Sequence, residues 1–131
     1  MTTSQKIIFH SARFIAAIIL GQTLYFKFTG AEESVYIFTT LGMEPWGRYA
    51  SAVVELIAAL LLLVPSLVWL GALISLNVIS GAILSHLIFL GVEVMGDYGV
   101  LFGLACVVLI ASVYLVYVER KSIPILKHYF H

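Results

Sequence analysis

The stretch AVVELIAALLLLVPSLVWLGALISLNVIS, residues 52–80, decides the fold class. It is apolar apart from Glu55, Asn77 and a few serines, and Pro65-Ser66 interrupts it near the middle. A helix needs about 20 residues to cross the hydrocarbon core of a bilayer. Proline ends the first helix of this stretch, and so short a connection makes the two flanking helices antiparallel neighbours.

Apolar segments of similar length lie on both sides of this pair. The chain has 131 residues, of which 62% are hydrophobic and 11% charged, whereas soluble domains carry about 25% charged residues. We therefore predict an all-α polytopic membrane protein, a single domain over residues 1–131 that forms an antiparallel four-helix transmembrane bundle. The predicted spans cover approximately residues 7–28, 46–64, 67–90 and 98–118.

The connection between the first two spans also has a helical pattern. Val35, Phe38 and Leu41 recur at helical spacing. Polar residues lie between or beside them, namely Glu32, Glu33, Ser34 and Thr39. We expect a short amphipathic interfacial helix here, either on the outer membrane surface or folded over the mouth of the bundle. A structureless loop is the alternative.

The distribution of charge predicts the orientation. Lys and Arg concentrate in the cytoplasmic loops of membrane proteins. Basic residues dominate both ends of the chain, whereas the first and third connections are acid-rich; the basic residues at the ends are Lys6, Arg13, Arg120, Lys121 and Lys127. Both termini are therefore predicted to be cytoplasmic.

Ionisable residues inside the spans are the candidate site residues, because such groups are costly in lipid and usually face the bundle interior. The predicted orientation places Lys27, Glu55 and His86 in the outer half of the membrane. Arg48 lies seven residues before Glu55, so the two share a helix face with Ser51 between them. Arg13, Leu20 and Lys27 share a face of the first span in the same way.

Two interpretations of this polar cluster remain open. Glu55 can form an ion pair with Lys27 or with Arg48 that fixes the register of the helices. Alternatively, the cluster forms a polar pocket that opens outward and holds a small polar headgroup or passes protons. His86 is either a hydrogen-bonded bundle residue or a group that handles protons or contacts a ligand.

Metal and redox centres are not predicted. The remaining histidines, His10, His128 and His131, lie toward the opposite side of the membrane from His86, so no pair within one chain can straddle a haem beside His86. Two copies of His86 in a homodimer remain the alternative. The one cysteine, Cys106, can form neither an internal disulfide nor a CxxC pair. The site candidates are therefore Lys27, Arg48, Glu55 and His86, with no catalytic role assigned.

Three short segments resemble the DoxX-like family of small four-helix bacterial membrane proteins. They are GQTLYFKF (residues 21–28), VVEL (53–56) and LSHL (84–87). That family has a lysine after the first span, a glutamate in the second and often a histidine late in the third, which correspond here to Lys27, Glu55 and His86. The resemblance implies the bacterial inner membrane and an accessory role beside quinone-linked or other redox systems.

Three functions are consistent with the sequence. The first is an accessory subunit of a redox or envelope complex, in which a partner carries the chemistry and the isolated chain is not an enzyme. The second is a small transporter or proton-conducting protein, which with four helices would need a homo-oligomer. The third is a quinone- or lipid-binding membrane protein. The sequence contains no cofactor motif, and a quinone is the ligand that the resemblance suggests. No basic run points to nucleic acid. The expected surrounding of the chain is the lipid bilayer.

Overall fold

The computed structural model describes residues 2–91 and 99–120, and in this part every regular element is helical. The elements are α1 (Thr3–Thr29), α2 (Glu32–Thr40), α3 (Trp46–Leu63), a 3₁₀ turn (Pro65–Leu67), α4 (Val68–Ser85), a π-helical turn (His86–Leu90) and α5 (Val100–Val118). The all-α prediction is confirmed. The predicted start of the last span at residue 98, the acids of the third connection and the tail beyond Arg120 lie outside the described residues.

Local sequence explains where the helices begin and end. Thr2 and Gln5 form a capping box that satisfies the first backbone N–H groups, so α1 begins at Thr3, four residues before the predicted start. Gly30 ends α1 in a left-handed conformation with φ 69°, which glycine adopts without steric cost. Pro65 ends α3 as predicted, with Val64 extended before it.

The four long helices pack in a closed ring. Helix α1 packs against α3 and α5, and α4 packs against the same two helices. The core is made of small and aliphatic side chains, several of which have no solvent exposure; these are Ala16, Ala58, Leu62, Val68, Ala72, Val108 and Leu115. Lys27, Arg48, His86 and Val100 therefore lie at one end of the ring, which we call the Lys27 end, because α1 and α4 finish there and α3 and α5 begin there.

The outward faces of the helices are strongly apolar. The side chain of Ile18 is 69% exposed and that of Ile110 is 70% exposed, and many other large hydrophobic side chains are exposed as well. By length and composition, three helical segments can cross a membrane, namely Thr3–Thr29, Trp46–Leu63 and Pro65–Phe89. The apolar stretch Phe102–Val118 of α5 is shorter. An apolar exterior around a closed helical ring is typical of membrane proteins, whose solvent is lipid.

Small residues allow α4 to approach its neighbours closely. A Cβ atom on Gly71 would lie only 2.9 Å from the backbone nitrogen of Leu62 and 3.0 Å from the carbonyl oxygen of Ala58. One turn further along, the hydroxyl oxygens of Ser75 and Ser112 are 2.8 Å apart and join α4 to α5. These contacts are typical of helices that associate in lipid through small residues.

Helix α2 lies over the Lys27 end and contacts α1, α3 and the π-helical turn. The alternative of a structureless loop between residues 30 and 42 is therefore wrong. The predicted polar face is also wrong at one position, because Ser34 is buried together with Phe38. Helix α2 turns this hydroxyl toward the bundle, so Ser34 belongs to the inward face.

Candidate functional site

An ion pair between α1 and α3 forms the centre of the site. Lys27 Nζ lies 2.5 Å from Glu55 Oε1 and donates a second hydrogen bond of 2.9 Å to Ser51 Oγ. The other carboxylate oxygen of Glu55 lies 3.2 Å from Thr23 Oγ1. Glu55 is only 4% exposed, so its negative charge is compensated by these neighbours and not by solvent.

Helical spacing brings these side chains together. Thr23 and Lys27 are four residues apart on α1, and Ser51 and Glu55 are four apart on α3, so each pair shares a face. The two helices run antiparallel, and the faces meet near the Lys27 end. The predicted ion pair is therefore present, and of the two cations left open by the sequence it is Lys27 that contacts Glu55.

Arg48 is placed differently from the expectation. It forms a two-oxygen ion pair with Glu44, with Nε 2.9 Å from Oε1 and 3.1 Å from Oε2. Its Nη1 donates to the carbonyl oxygen of Lys27. The guanidinium therefore joins Glu44, four residues earlier in the chain, to the last turn of α1.

A second arginine, Arg13 of α1, makes the equivalent contact at the opposite end of α1 and α3. Arg13 Nη1 donates a buried hydrogen bond of 2.9 Å to the carbonyl oxygen of Leu62, near the end of α3. Its Nε donates to His10 Nδ1 at 2.9 Å. A cation at a helix C-terminus interacts favourably with the partial negative charge of the unpaired carbonyl groups. Arg13 therefore has a structural role away from the candidate site.

His86 faces the site from the other side of the ring. It begins the π-helical turn after α4 and is 5% exposed. Its Nδ1 lies 3.0 Å from the carbonyl oxygen of Gly91, which can only accept, so Nδ1 carries a proton. The ring packs edge-on against Phe102 of α5, with centroids 5.5 Å apart. In the neutral imidazole, Nε2 is then a hydrogen-bond acceptor.

A cavity of about 360 Å³ separates His86 from the ion pair. Helices α1, α3, α4 and α5, the π-helical turn and α2 all contribute to its walls, and most of the lining is apolar. Its polar lining residues come from four of these elements and are Gln22, Thr23, Lys27, Ser34, Glu55 and His86. Small-molecule sites of proteins have this character, with apolar walls and a few convergent polar groups.

Three of the four predicted site residues line this one cavity. Lys27, Glu55 and His86 do so, and Arg48 does not. Sequence reasoning missed Thr23 and Ser34. The four-residue spacing of Thr23 to Lys27 is a signal that was available, whereas the inward rotation of Ser34 depends on how α2 docks.

Other polar groups of the described chain lie elsewhere. Asn77 is exposed and donates to the carbonyl oxygen of Leu73 on its own helix. Within residues 2–91 and 99–120, no three His, Cys, Asp or Glu side chains come together as a metal site. His128 and His131 lie outside the described residues.

Comparisons with family models, curated proteins and solved structures found no match for this chain.

Proposed function

We propose that the chain is a four-helix protein of the bacterial inner membrane with both termini in the cytoplasm. The three long apolar segments, the apolar exterior and the packing of α5 into the same ring support four spans. The basic residues of the first helix and the acidic residues near α2 support the orientation. Reporter fusions at each terminus, read for cytoplasmic or external activity, test this topology; an external signal from either end would contradict it.

Within that bundle, we propose that the cavity holds a small lipid-soluble molecule, such as a quinone or a lipid. The observation that carries this proposal is the cavity itself, about 360 Å³ of apolar-walled space with the Lys27–Glu55 pair on one side and His86 on the other. This volume falls within the range of about 300–1,000 Å³ that ligand sites occupy.

The polar groups of the cavity give an occupant its orientation. The apolar walls formed by α1, α4 and α5 suit a hydrocarbon or ring, and the ion pair and His86 suit a polar end. Lys27 is the more accessible member of the pair, with its side chain 14% exposed against 5% for Glu55. The occupant therefore places its polar end toward Lys27, near the α2 end of the bundle.

We further propose that the chain is an accessory subunit of a redox or envelope complex. This site and the DoxX-like pattern of Lys27, Glu55 and His86 support the proposal. The described chain is almost entirely bundle, so the chemistry belongs to a partner that shares the bound molecule or the surrounding membrane. Affinity purification after chemical cross-linking tests this part. A distinct membrane protein recovered in stoichiometric amount supports it, and recovery of the chain alone contradicts it.

Transport has less support from the geometry. At the end of the ring opposite Lys27, Leu62, Val68 and Leu115 have no solvent exposure and close the space between the helices. A path for solutes or protons would have to cross this apolar layer, whereas a binding cavity that is closed at one end needs no such path.

Cavity filling tests the binding proposal. Ala82 of α4 lines the cavity, so Ala82→Phe places a ring in the space that the occupant needs. Ala50 of α3 is exposed, so Ala50→Phe adds the same side chain outside the cavity and serves as the control. Organic extracts of the gently purified wild type and Ala50→Phe proteins should contain the same small molecule in near-stoichiometric amount, and the Ala82→Phe extract should lack it. Equal recovery from all three proteins would contradict the proposal.

A further inference from the structure

We infer that the occupant of the cavity is an uncharged amphiphile whose polar end is a hydroxyl group. This inference rests on the binding function proposed above and specifies the chemistry of the ligand. It follows from two properties of the polar lining, its charge balance and its unused hydrogen-bonding capacity.

The charge balance excludes ligands with a full charge. Lys27 and Glu55 are the oppositely charged residues of the lining, and they contact each other at 2.5 Å, so together they contribute no net charge. At the same end of the bundle, Arg48 and Glu44 also neutralise each other. A carboxylate, phosphate or ammonium group brought into this space would lose its hydration and find no uncompensated counter-charge among the lining residues of the described chain.

The hydrogen-bonding capacity requires a group that both accepts and donates. The ammonium of Lys27 has three N–H donors, and Glu55 and Ser51 take two of them. The Phe38 ring lies 5.7 Å from Nζ, and no oxygen or nitrogen atom of the described residues accepts the third. The carboxylate of Glu55 can accept about four hydrogen bonds and receives one from Lys27 and, when Thr23 turns its proton this way, a second. His86 Nε2 has no partner among the described residues and accepts in the neutral ring.

A hydroxyl group meets both requirements at once. Its oxygen accepts from Lys27 and its proton is donated to Glu55 or His86, without any net charge. An ether or a ketone, including the oxidised form of a quinone, can only accept, so it leaves these acceptors without a donor; of the two forms of a quinone, only the reduced quinol carries the hydroxyl group. Hydrogen bonds to charged groups are stronger than neutral ones, so the O–H group should dominate the selectivity.

A series of ligands with one tail and four polar ends tests the inference. The probes are 4-octylphenol, its methyl ether 4-octylanisole, 4-octylbenzoate and 4-octylbenzylammonium, titrated at neutral pH into the protein in lipid nanodiscs. Binding to the Ala82→Phe protein is subtracted, which removes partitioning into the lipid. We expect the phenol to bind at least about tenfold more tightly than each of the other three, which is the factor expected for one hydrogen bond to a charged group.

The outcomes separate the two proposals. If none of the four probes binds above the Ala82→Phe background, the binding function itself is wrong. If the benzoate, the benzylammonium or the methyl ether binds as tightly as the phenol, the cavity binds ligands and the inference about the hydroxyl group is wrong.

Changing the charge balance provides a second test. Glu55→Gln leaves Lys27 without its counter-charge and should shift the preference to the benzoate, whereas Lys27→Met leaves Glu55 alone and should shift it to the benzylammonium. The measured quantity is the ratio of two affinities in the same protein, which does not depend on stability as long as the variant is folded. A preference that is unchanged in both folded variants would overturn the inference, and the wild-type series decides the question if neither variant folds.

Discussion

Arg13 of α1 and Arg48 of α3 each bind a backbone carbonyl near the C-terminal end of the other residue's helix. Arg13 donates to Leu62, one residue before the end of α3 at Leu63, and Arg48 donates to Lys27, two residues before the end of α1 at Thr29. The two antiparallel helices are therefore fixed at both ends, and the Lys27–Glu55 pair lies between these contacts. This arrangement explains how one register of α1 on α3 is selected.

The arginine contacts should contribute measurably to stability. Replacing Arg13 by Met removes a charge-assisted hydrogen bond to a buried carbonyl and keeps most of the apolar stem, so unfolding should become easier by about 2 kcal/mol. Lys6→Met removes an exposed cation from the same helix and should change stability by less than about 0.5 kcal/mol. Unfolding in a detergent titration, followed by circular dichroism, measures both; equal effects would show that Arg13 does not fix α3.

The Lys27–Glu55 pair should show strong coupling. Glu55→Gln leaves the cation of Lys27 with an incomplete partner set and should destabilise the bundle by about 3 kcal/mol. The double replacement Lys27→Met with Glu55→Leu removes both charges and should recover most of this loss. Glu44→Gln serves as the control, because its ion pair with Arg48 is more accessible and should cost about 1 kcal/mol or less. If Lys27→Met with Glu55→Leu costs as much as Lys27→Met and Glu55→Leu added together, the two residues are not coupled.

The glycines of α4 offer a matched test of helix packing. Gly71→Ala would place a Cβ atom within 3.0 Å of backbone atoms of α3, so the helices must separate and stability should fall by about 1–3 kcal/mol. Gly81→Ala meets no atom within 4 Å and should stabilise the helix by up to about 1 kcal/mol. Thermal unfolding of the two proteins in the same detergent checks this. A stabilising Gly71→Ala would mean that α3 and α4 are not in close contact.

His86 should matter more for ligand binding than for folding. His86→Phe keeps an aromatic ring against Phe102 but loses both ring nitrogens, so the amount of bound ligand should fall while stability falls by only about 1 kcal/mol. Asn77→Leu removes an exposed polar group of α4 that bonds only its own helix and should leave ligand recovery unchanged. Full ligand recovery from the His86→Phe protein would exclude His86 from the binding site.

Much of the architecture could be predicted because bilayer thickness and helix geometry dictate it. The Pro65 boundary, the helical pattern after Gly30 and the seven-residue spacing from Arg48 to Glu55 each have one simple physical interpretation. The capping pair Thr2 and Gln5 was also readable, and the prediction of a later start for α1 overlooked it. These features depend on residues close together in sequence.

The details of the site could not be read in the same way. Glu55 and Glu44 are both candidate partners of Arg48, and Glu44 is the carboxylate that pairs with it, which leaves Glu55 to Lys27. The choice between the two carboxylates depends on how α1 and α3 pack. The inward position of Ser34 depends on the docking of α2, and the cavity depends on how five helices leave space between them. The spacing of residues within one helix does not predict a cavity between several helices.

The central claim is that the cavity beside Lys27, Glu55 and His86 holds one small amphiphile. Native mass spectrometry of the intact protein, released directly from lipid nanodiscs, tests it most directly. We predict a single adduct of constant mass at one per chain in the wild-type and Ala50→Phe proteins, and its loss in the Ala82→Phe protein. The bare polypeptide mass in all three, or an adduct that Ala82→Phe retains, would contradict the claim.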